Sequence, residues 1–238
     1  MFVQAVSRRG LSHSERNEDN LFFQKSEKGV IGAVFDGCST GKDAYFASKL
    51  LAILVNKIIN GQNLLGNDLP QLELIGEELV RELAEVKKQL FLQDDDLLST
   101  IVFFRFDQSN NQLEVKFLGD GCVCTSNGKF HVHNIDQNNQ PNYLIYQLNE
   151  LLDGKSFQKY WKNLPAFQSK TEDFTVATDG VFTFKNSDPK NDVLDPLEFL
   201  AKDEKLLQNP AGLSRKMNIL NKKGFQHLDD VTVIRVKN

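Results

Sequence analysis

The amino-acid sequence predicts an α+β protein in which helices pack on the outer faces of stacked sheets. Short runs of β-branched and aromatic residues, typical of strands, occupy both ends of the chain and its middle. Two long amphipathic helical patterns follow the first strands, and shorter helical patterns precede the last strand. This order of elements is typical of α+β folds. The 238 residues contain no internal repeat or low-complexity tract, so we interpret residues 1–238 as a single domain.

Nine strands are predicted from β-branched and aromatic enrichment. In chain order they are Phe2 to Val6, Leu21 to Lys25, Val30 to Phe35, Thr100 to Phe106, Leu113 to Leu118, Val123 to Thr125, Lys129 to Val132, Phe174 to Ala177 and Val231 to Val236. The polar stretch 107–112 is short enough for a hairpin turn, and 136–142 for a loop.

Each of the two long helical patterns places its apolar residues on one face. In the first pattern that face consists of Ala47, Leu50, Leu51, Leu54 and Ile58. In the second it consists of Leu72, Ile75, Leu79, Leu83, Val86 and Leu90. Asp68 to Pro70 provides a start signal for the second helix. Two shorter helices are predicted at Pro196 to Leu207 and Ala211 to Leu220.

Composition limits the kinds of partner. A formal charge of −4 and an isoelectric point near 5.6 argue against nucleic acid or an anionic membrane, which require clustered Lys and Arg. The longest strongly apolar run, Leu50 to Val55, is far shorter than the ~20 residues of a membrane span, and no signal-peptide pattern is present. We therefore expect a cytoplasmic protein, and nothing requires more than a monomer. Cys38, Cys122 and Cys124 indicate reduced structural thiols rather than a disulfide framework.

Three apolar runs end in an aspartate followed by a glycine. These dipeptides are Asp36-Gly37, Asp120-Gly121 and Asp179-Gly180. Two further acidic pairs, Glu18-Asp19 and Asp229-Asp230, directly precede strands. A carboxylate at a strand end lies where the sheet stops and a pocket can begin, and the glycine lets the backbone turn sharply. Any single Asp-Gly is more often a turn than a ligand, so only the joint pattern indicates a site.

Convergence of these carboxylates would require a counter-charge. Two carboxylates ~5 Å apart repel by roughly 3 kcal/mol at an effective dielectric constant of about 20, so six pairs among four groups cost on the order of 20 kcal/mol. Because domains are stable by only about 5–15 kcal/mol, such a cluster must be protonated or bind cations. Oxygen ligands without a His/Cys spacing for zinc favour Mg²⁺, Mn²⁺ or Ca²⁺.

The acidic motifs follow one another in a definite order along the chain. They are Asn17-Glu18-Asp19, VFDG at 34–37, Asp95 with Ser99-Thr100, LGDG at 118–121, ATDG at 177–180 and LDDVTVI at 228–234. This order resembles that of the metal-dependent serine/threonine protein phosphatases of type 2C, and the similarity extends over nearly the whole chain. It implies a four-layer αββα sandwich with two stacked, mostly antiparallel sheets flanked by helices.

The resemblance also implies a site for two Mg²⁺ or Mn²⁺ ions, bridged by Asp36. The other residues that match the family's ligands are Glu18 and the Gly37 carbonyl for one ion, and Asp179 and Asp229 for the other. Two such ions ~3.5–4 Å apart activate a shared water for in-line attack, with no covalent intermediate. The implied substrate is a protein phosphorylated on serine or threonine, with a cognate Ser/Thr kinase as a further partner.

Three acidic residues have secondary roles in the family pattern. Asp95 matches a ligand of a weaker third ion that some members bind. Asp19 would contact the ligand residues without binding an ion itself, and Asp120 would support the site structurally. Thr183 stands where an aspartate commonly helps to bind the third ion, so that ion is expected to bind weakly or not at all.

The phosphate-binding arginine of the family has no direct match. Ser14 stands four residues before Glu18, where many members have that arginine. Arg16 is the candidate to grip the phosphate instead, and a bidentate grip requires arginine rather than lysine. His13 matches a Gly-x-x-His form of a bacterial branch of the family and is a second candidate catalytic residue. Cys38 replaces a histidine that serves as general acid in some members.

These departures leave a second interpretation open. The chain is then a catalytically weak or inactive relative that acts as a regulatory or binding module. Retention of every position for a ligand of the two ions favours the enzyme, because a binding module has little reason to keep a repulsive acidic core.

Overall fold

A computed structural model describes residues 1–13, 15–61, 69–125, 130–133, 141–187 and 194–238. Ser14, Asp68 and Lys129 lie outside these residues, as does most of the predicted loop 136–142. Within the described ranges, no helix is both long enough and apolar enough to cross a membrane.

Two five-stranded antiparallel sheets form the centre of the fold. From edge to edge, the first sheet contains β1 (Phe2–Arg8), β12 (Val231–Lys237), β9 (Asp173–Ala177), β6 (Gly121–Thr125) and β7 (Phe130–His133). The second contains β2 (Asp19–Lys25), β3 (Gly29–Gly37), β4 (Ser99–Asp107), β5 (Gln112–Leu118) and β8 (Ala166–Lys170). A separate short pairing joins β10 (Phe184–Asn186) to β11 (Phe225–His227).

Helices cover the outer face of each sheet. Those on the second sheet are α1 (Ala44–Gly61), α2 (Leu72–Gln89), α3 (Leu148–Leu151) and α4 (Gly154–Asn163). Those on the first sheet are α5 (Pro196–Ala201) and α6 (Gly212–Lys222). Short 3-10 turns lie at Asp94–Asp96, Leu144–Gln147 and Asp179–Phe182.

Three buried apolar clusters hold these layers together. Phe35 and Phe103 pack toward α1–α4, whereas their chain neighbours Val34 and Phe104 pack between the two sheets. Leu213 belongs to the third cluster, between the first sheet and α5–α6. Both faces of the central strands are therefore buried, which explains their continuous apolar runs. The predicted four-layer αββα arrangement is confirmed.

All nine predicted strands are present, with ends that differ from the predicted ends by at most two residues. The sequence analysis missed β8, β10 and β11. Residues along β8 alternate between exposed and half-buried, since it is an edge strand with few apolar side chains. The helix predicted from Pro196 to Leu207 ends at Ala201, because the chain then turns through Leu206 at a φ of 69°.

The antiparallel register brings acidic residues from separate strands to one end of the sheets. Asp19 at the start of β2 lies opposite Asp36 near the end of β3. Thr178, which directly follows β9, donates its hydroxyl to Asp19 Oδ2 at 2.8 Å. This hydrogen bond links the first sheet to the second, so residues from both sheets can share one site.

Candidate active site

Asp36 lies at the centre of a group of carboxylates. Its surroundings raise the pKa of its side chain well above the ordinary value, first by burial and then through the negative charges of Asp19, Asp179, Asp229 and Asp120. These groups come from separate parts of the chain. The protein therefore holds Asp36 where a proton or a cation is favoured.

Asp19 is the most buried carboxylate of the group. Only 3% of the residue is exposed, and its Oδ1 atom accepts no hydrogen bond from the described residues. Burial, with a contribution from the charge of Asp230, raises the pKa of Asp19 to about 8. A buried carboxylate oxygen without a donor indicates that this region is incomplete without a positive group nearby.

Asp179 and Asp229 approach Asp36 from the first sheet. Asp179 begins the 3-10 turn after β9, and burial followed by the charge of Asp229 raises its pKa. Asp229 directly precedes Asp230 and β12, and its side chain is 43% exposed. The pair therefore forms the more open side of the acidic group.

Asp230 is a site residue to which the sequence analysis gave no role. Its Oδ1 accepts the Gly10 N–H at 2.6 Å, and its Oδ2 accepts the Glu18 N–H. Its side chain is only 1% exposed, in contrast to that of Asp229. Asp230 therefore fixes the backbone of the segment that carries His13 and Glu18. The sequence shows two adjacent aspartates but not which of them points inward.

His13 lies among these carboxylates. Its Nδ1 is 2.9 Å from Asp230 Oδ2 and 3.8 Å from Glu18 Oε2, and its Nε2 is 3.4 Å from Asp229 Oδ1. Burial lowers the pKa of His13, but the hydrogen bond to Asp230 and the charges of Asp230, Glu18 and Asp229 together raise it above the ordinary value. The neighbouring carboxylates therefore favour the protonated form of the ring.

Ser39 connects Glu18 to His13. Its hydroxyl donates to Glu18 Oε2 at 2.7 Å and lies 3.3 Å from His13 Nε2. Ser39 follows Cys38, whose Sγ lies 3.1 Å from Thr40 Oγ1. The Cys38 thiol is thus in contact with a neighbouring hydroxyl.

Thr183 supports Asp229. Its hydroxyl donates to the Gly180 carbonyl at 2.7 Å and accepts the N–H groups of Leu228 at 3.2 Å and Asp229 at 3.1 Å. The residue that replaces the family's aspartate therefore has a structural role, joining the turn after β9 to the segment before β12.

Asp95 and Gly37 are the remaining predicted ligand positions. Asp95 is exposed, and its backbone carbonyl accepts the Lys42 N–H at 3.0 Å. No hydrogen bond or ion pair within the described ranges joins the Asp95 carboxylate to Asp36. A Cβ atom on Gly37 would lie 2.1 Å from the Ala44 carbonyl oxygen, so this position requires glycine.

The donor set fits a hard divalent cation in charge and atom type. It is dominated by carboxylate oxygens, and the pKa values of Asp19, Asp36 and Asp179 are raised, as expected for acidic groups without counter-charge. Among the described residues, however, no three His, Cys, Asp or Glu side chains are grouped so as to hold a metal ion as they stand. The fit therefore rests on charge and donor chemistry, not on preformed coordination.

A surface cleft of about 510 Å³ opens beside Glu18. Residues lining it include His13, Arg16, Glu18, Ser39, Lys42 and Tyr45. The guanidinium of Arg16 lies 5.5 Å from the centre of the Tyr45 ring. The cleft thus combines cationic side chains with one edge of the acidic group.

Solved bacterial serine/threonine phosphatases share this fold. RsbX in complex with magnesium is 16% identical with a TM-score of 0.57, over 99% of this chain and 95% of that chain. PstP of Mycobacterium tuberculosis is 18% identical with a TM-score of 0.56, over 99% and 97%, and its catalytic domain is also known with two manganese ions. The phosphatase domain of SpoIIE from Bacillus subtilis, solved with a fragment of its regulatory domain, is 13% identical with a TM-score of 0.60, over 99% and 62%.

The sequence comparison agrees with the fold. No curated protein sequence matches the chain significantly. A model of the family described as Protein phosphatase 2C matches residues 8–215. The chain belongs to the protein phosphatase 2C family. The resemblance inferred from the acidic motifs is therefore confirmed at the level of family and fold.

Proposed function

We propose that the protein is a divalent-metal-dependent protein phosphatase that hydrolyses phosphoserine and phosphothreonine. The observation that carries this proposal is the group of carboxylates around Asp36, whose pKa is raised by burial and by four like-charged neighbours. A cluster of this kind destabilises the fold unless it binds protons or cations. Magnesium and manganese in the structures of RsbX and PstP support the choice of metal.

Five groups would hold two Mg²⁺ or Mn²⁺ ions. They are the side chains of Asp36, Glu18, Asp179 and Asp229 and the backbone carbonyl of Gly37. When bound, the ions would lower the pKa of a water so that it can attack a phosphoryl group, and they would neutralise the phosphoryl oxygens. A third, weaker ion at Asp95 is part of the proposal, with Thr183 unable to assist because its hydroxyl serves backbone groups.

His13 is proposed to donate a proton to the leaving alkoxide. The hydrogen bond to Asp230 and the charges of Asp230, Glu18 and Asp229 favour its protonated form, which is the form that can donate a proton. Asp230 faces Nδ1 and leaves Nε2 on the side of Ser39 and Asp229. His13 would thereby take the role of the histidine that Cys38 replaces in the family pattern.

Arg16 is proposed to bind the phosphoryl oxygens of the substrate. Its guanidinium lies in the cleft that Glu18 lines, and a planar guanidinium can donate two parallel hydrogen bonds to a phosphate. The phosphoprotein substrate would lie along this cleft. A cognate Ser/Thr kinase is the further partner that the proposed reaction implies, because the substrate must first be phosphorylated.

A regulatory or binding module is the second candidate function. Among the described residues, no three His, Cys, Asp or Glu side chains are arranged to hold a metal ion. The chain also lacks the family's phosphate-binding arginine and its histidine. Both observations favour a binding module. SpoIIE, solved with part of a regulatory domain, is an example of a related domain that works with other protein segments.

Manganese-dependent hydrolysis separates the two candidates. The wild type should hydrolyse an aryl phosphate and a phosphothreonine peptide with Mn²⁺, and a chelator should abolish both activities. Asp36→Asn should reduce activity to that of buffer, whereas Asp107→Asn, at the opposite end of β4, should leave it unchanged. If wild type and Asp36→Asn are equally inert with every divalent cation tried, the binding module is the correct interpretation.

A further inference from the structure

Arg16 is an exposed cation with an unusual environment. Within the described ranges, no hydrogen bond or ion pair engages its guanidinium, and its one described contact is with the Tyr45 ring at 5.5 Å from the centroid. A free arginine side chain at a surface samples many rotamers, and ordering it on a ligand costs conformational entropy. A ring beneath the guanidinium restricts this freedom and leaves the N–H donors at its edge available.

Tyr45 is well placed to act as that support, because its backbone is fixed in the first turn of α1. Asp43 Oδ1 accepts the Phe46 N–H at 3.0 Å and caps this turn. The Ser48 hydroxyl lies 3.2 Å from the Tyr45 carbonyl oxygen and also donates to the Glu18 carbonyl. The turn that carries Tyr45 is therefore tied directly to the residue that borders the acidic group.

The Ser48 hydroxyl makes a third contact. Asn20 Nδ2 donates to Ser48 Oγ at 2.8 Å, and Ser48 is fully buried. Through this contact α1 and the start of β2 form one unit, and Arg16 belongs to the segment that leads into β2. The distance between the Tyr45 backbone and the Glu18 backbone is thus set by buried contacts of Ser48.

We propose that Tyr45 is a positioning residue, which holds Arg16 in the cleft so that its N–H groups face the phosphoryl group of the substrate. The inference rests on the proposed phosphatase function. It adds Tyr45 to the residues that the proposed function already assigns to the site. In this role Tyr45 acts through Arg16.

Substitutions of Tyr45 provide the first test. Tyr45→Leu removes the ring and should raise KM for a phosphothreonine peptide about two- to five-fold with little change in kcat, as expected for an exposed cation–π contact. Tyr45→Phe keeps the ring and should retain the wild-type KM. An equal loss in Tyr45→Phe would assign the effect to the hydroxyl and overturn the proposal.

A double-mutant cycle distinguishes positioning from general support of the fold. Arg16→Ala should raise KM on the order of 10- to 100-fold, the range for a charge-assisted hydrogen bond to phosphate. In the Arg16→Ala background, Tyr45→Leu should have no further effect, because the residue it positions is gone. Additive effects would contradict the inference.

Binding of inorganic phosphate separates this inference from the proposed function. Phosphate affinity of the Mn²⁺-loaded protein, measured by calorimetry, should fall in Tyr45→Leu and in Arg16→Ala but not in Tyr45→Phe. If the wild type lacks hydrolysis yet shows this order of affinities, the phosphatase proposal fails and the positioning role stands. If the wild type hydrolyses but phosphate affinity is the same in all variants, only the positioning role fails. A wild type that neither hydrolyses nor binds phosphate overturns both.

Discussion

The Thr178 hydroxyl in the first sheet donates a hydrogen bond of 2.8 Å to Asp19 Oδ2 in the second. Thr178 also accepts the Thr232 N–H at 3.0 Å, so one side chain joins β2, β9 and β12. Asp19 in turn lies opposite Asp36 in the β2–β3 pairing. The acidic group is thus anchored in the interface between the sheets, and its charge state should influence the stability of the whole fold.

The metal-free protein should become less stable as pH rises. Asp19 has a pKa of about 8 in the fold against an ordinary value of 3.8, and the pKa values of Asp36, Asp179 and His13 are raised as well. A raised pKa means that the folded state binds protons more tightly, so this stabilisation is complete below about pH 4 and is lost as pH rises through about 8. Thermal melts in chelator between pH 5 and 8 should show a falling midpoint. A midpoint that rises over this range would contradict the arrangement around Asp36.

Divalent cations should stabilise the fold. Metal that binds only the native state at 100 times its Kd adds about 2.7 kcal/mol to the free energy of unfolding. Titration with Mn²⁺ or Mg²⁺ at pH 7.5 should therefore raise the thermal midpoint of the wild type and of Asp107→Asn. Asp36→Asn should show a higher midpoint than wild type in chelator and almost no rise with metal. Equal rises in the thermal midpoints of Asp36→Asn and Asp107→Asn would show that the metal binds elsewhere.

Loss of the Thr183 hydroxyl should weaken the Asp229 side of the site. Thr183→Val leaves the Leu228 and Asp229 N–H groups without their acceptor, which should lower the free energy of unfolding by about 1–3 kcal/mol. Metal affinity should fall by about 10-fold, as for other groups that orient a ligand. Urea unfolding and metal titration measure the two effects. Thr183→Ser keeps the oxygen and should restore both; failure of this rescue would implicate the methyl group instead.

The three cysteines should differ in reactivity. Cys122 and Cys124 are buried free thiols, and burial raises the pKa of each, so neither offers a thiolate in the native state. Cys38 is partly exposed. A colourimetric thiol reagent at pH 8 should therefore label only Cys38 in the folded protein and all three cysteines after unfolding. Labelling of Cys122 under native conditions would show that β6 opens.

The layer order could be predicted from the sequence because the central strands are buried on both faces. Apolar runs such as Val30–Phe35 and Thr100–Phe106 are long and continuous, and they mark the strands to within two residues. The edge strand β8 could not be found in this way, since its side chains alternate between water and a partial contact with the core. Its pairing with β5 is a tertiary feature.

The acidic residues of the candidate site were visible in the sequence because each adjoins an apolar run. The contacts that support these residues could not be predicted from the sequence. The inward direction of Asp230 goes with its bonds to the distant Gly10 and Glu18 N–H groups, and the contact of Tyr45 with Arg16 depends on how α1 packs beside β2. The role of Thr183 likewise depends on a loop that approaches it from 45 residues away in the chain.

The pairing of β1 with β12 joins positions as far apart as Phe2 and Lys237. Ladders that close such long loops form late, because the entropy of loop closure must be overcome before the contacts exist. Asp229 and Asp230 directly precede β12. During refolding, their arrival at the acidic group should therefore lag behind collapse of the chain.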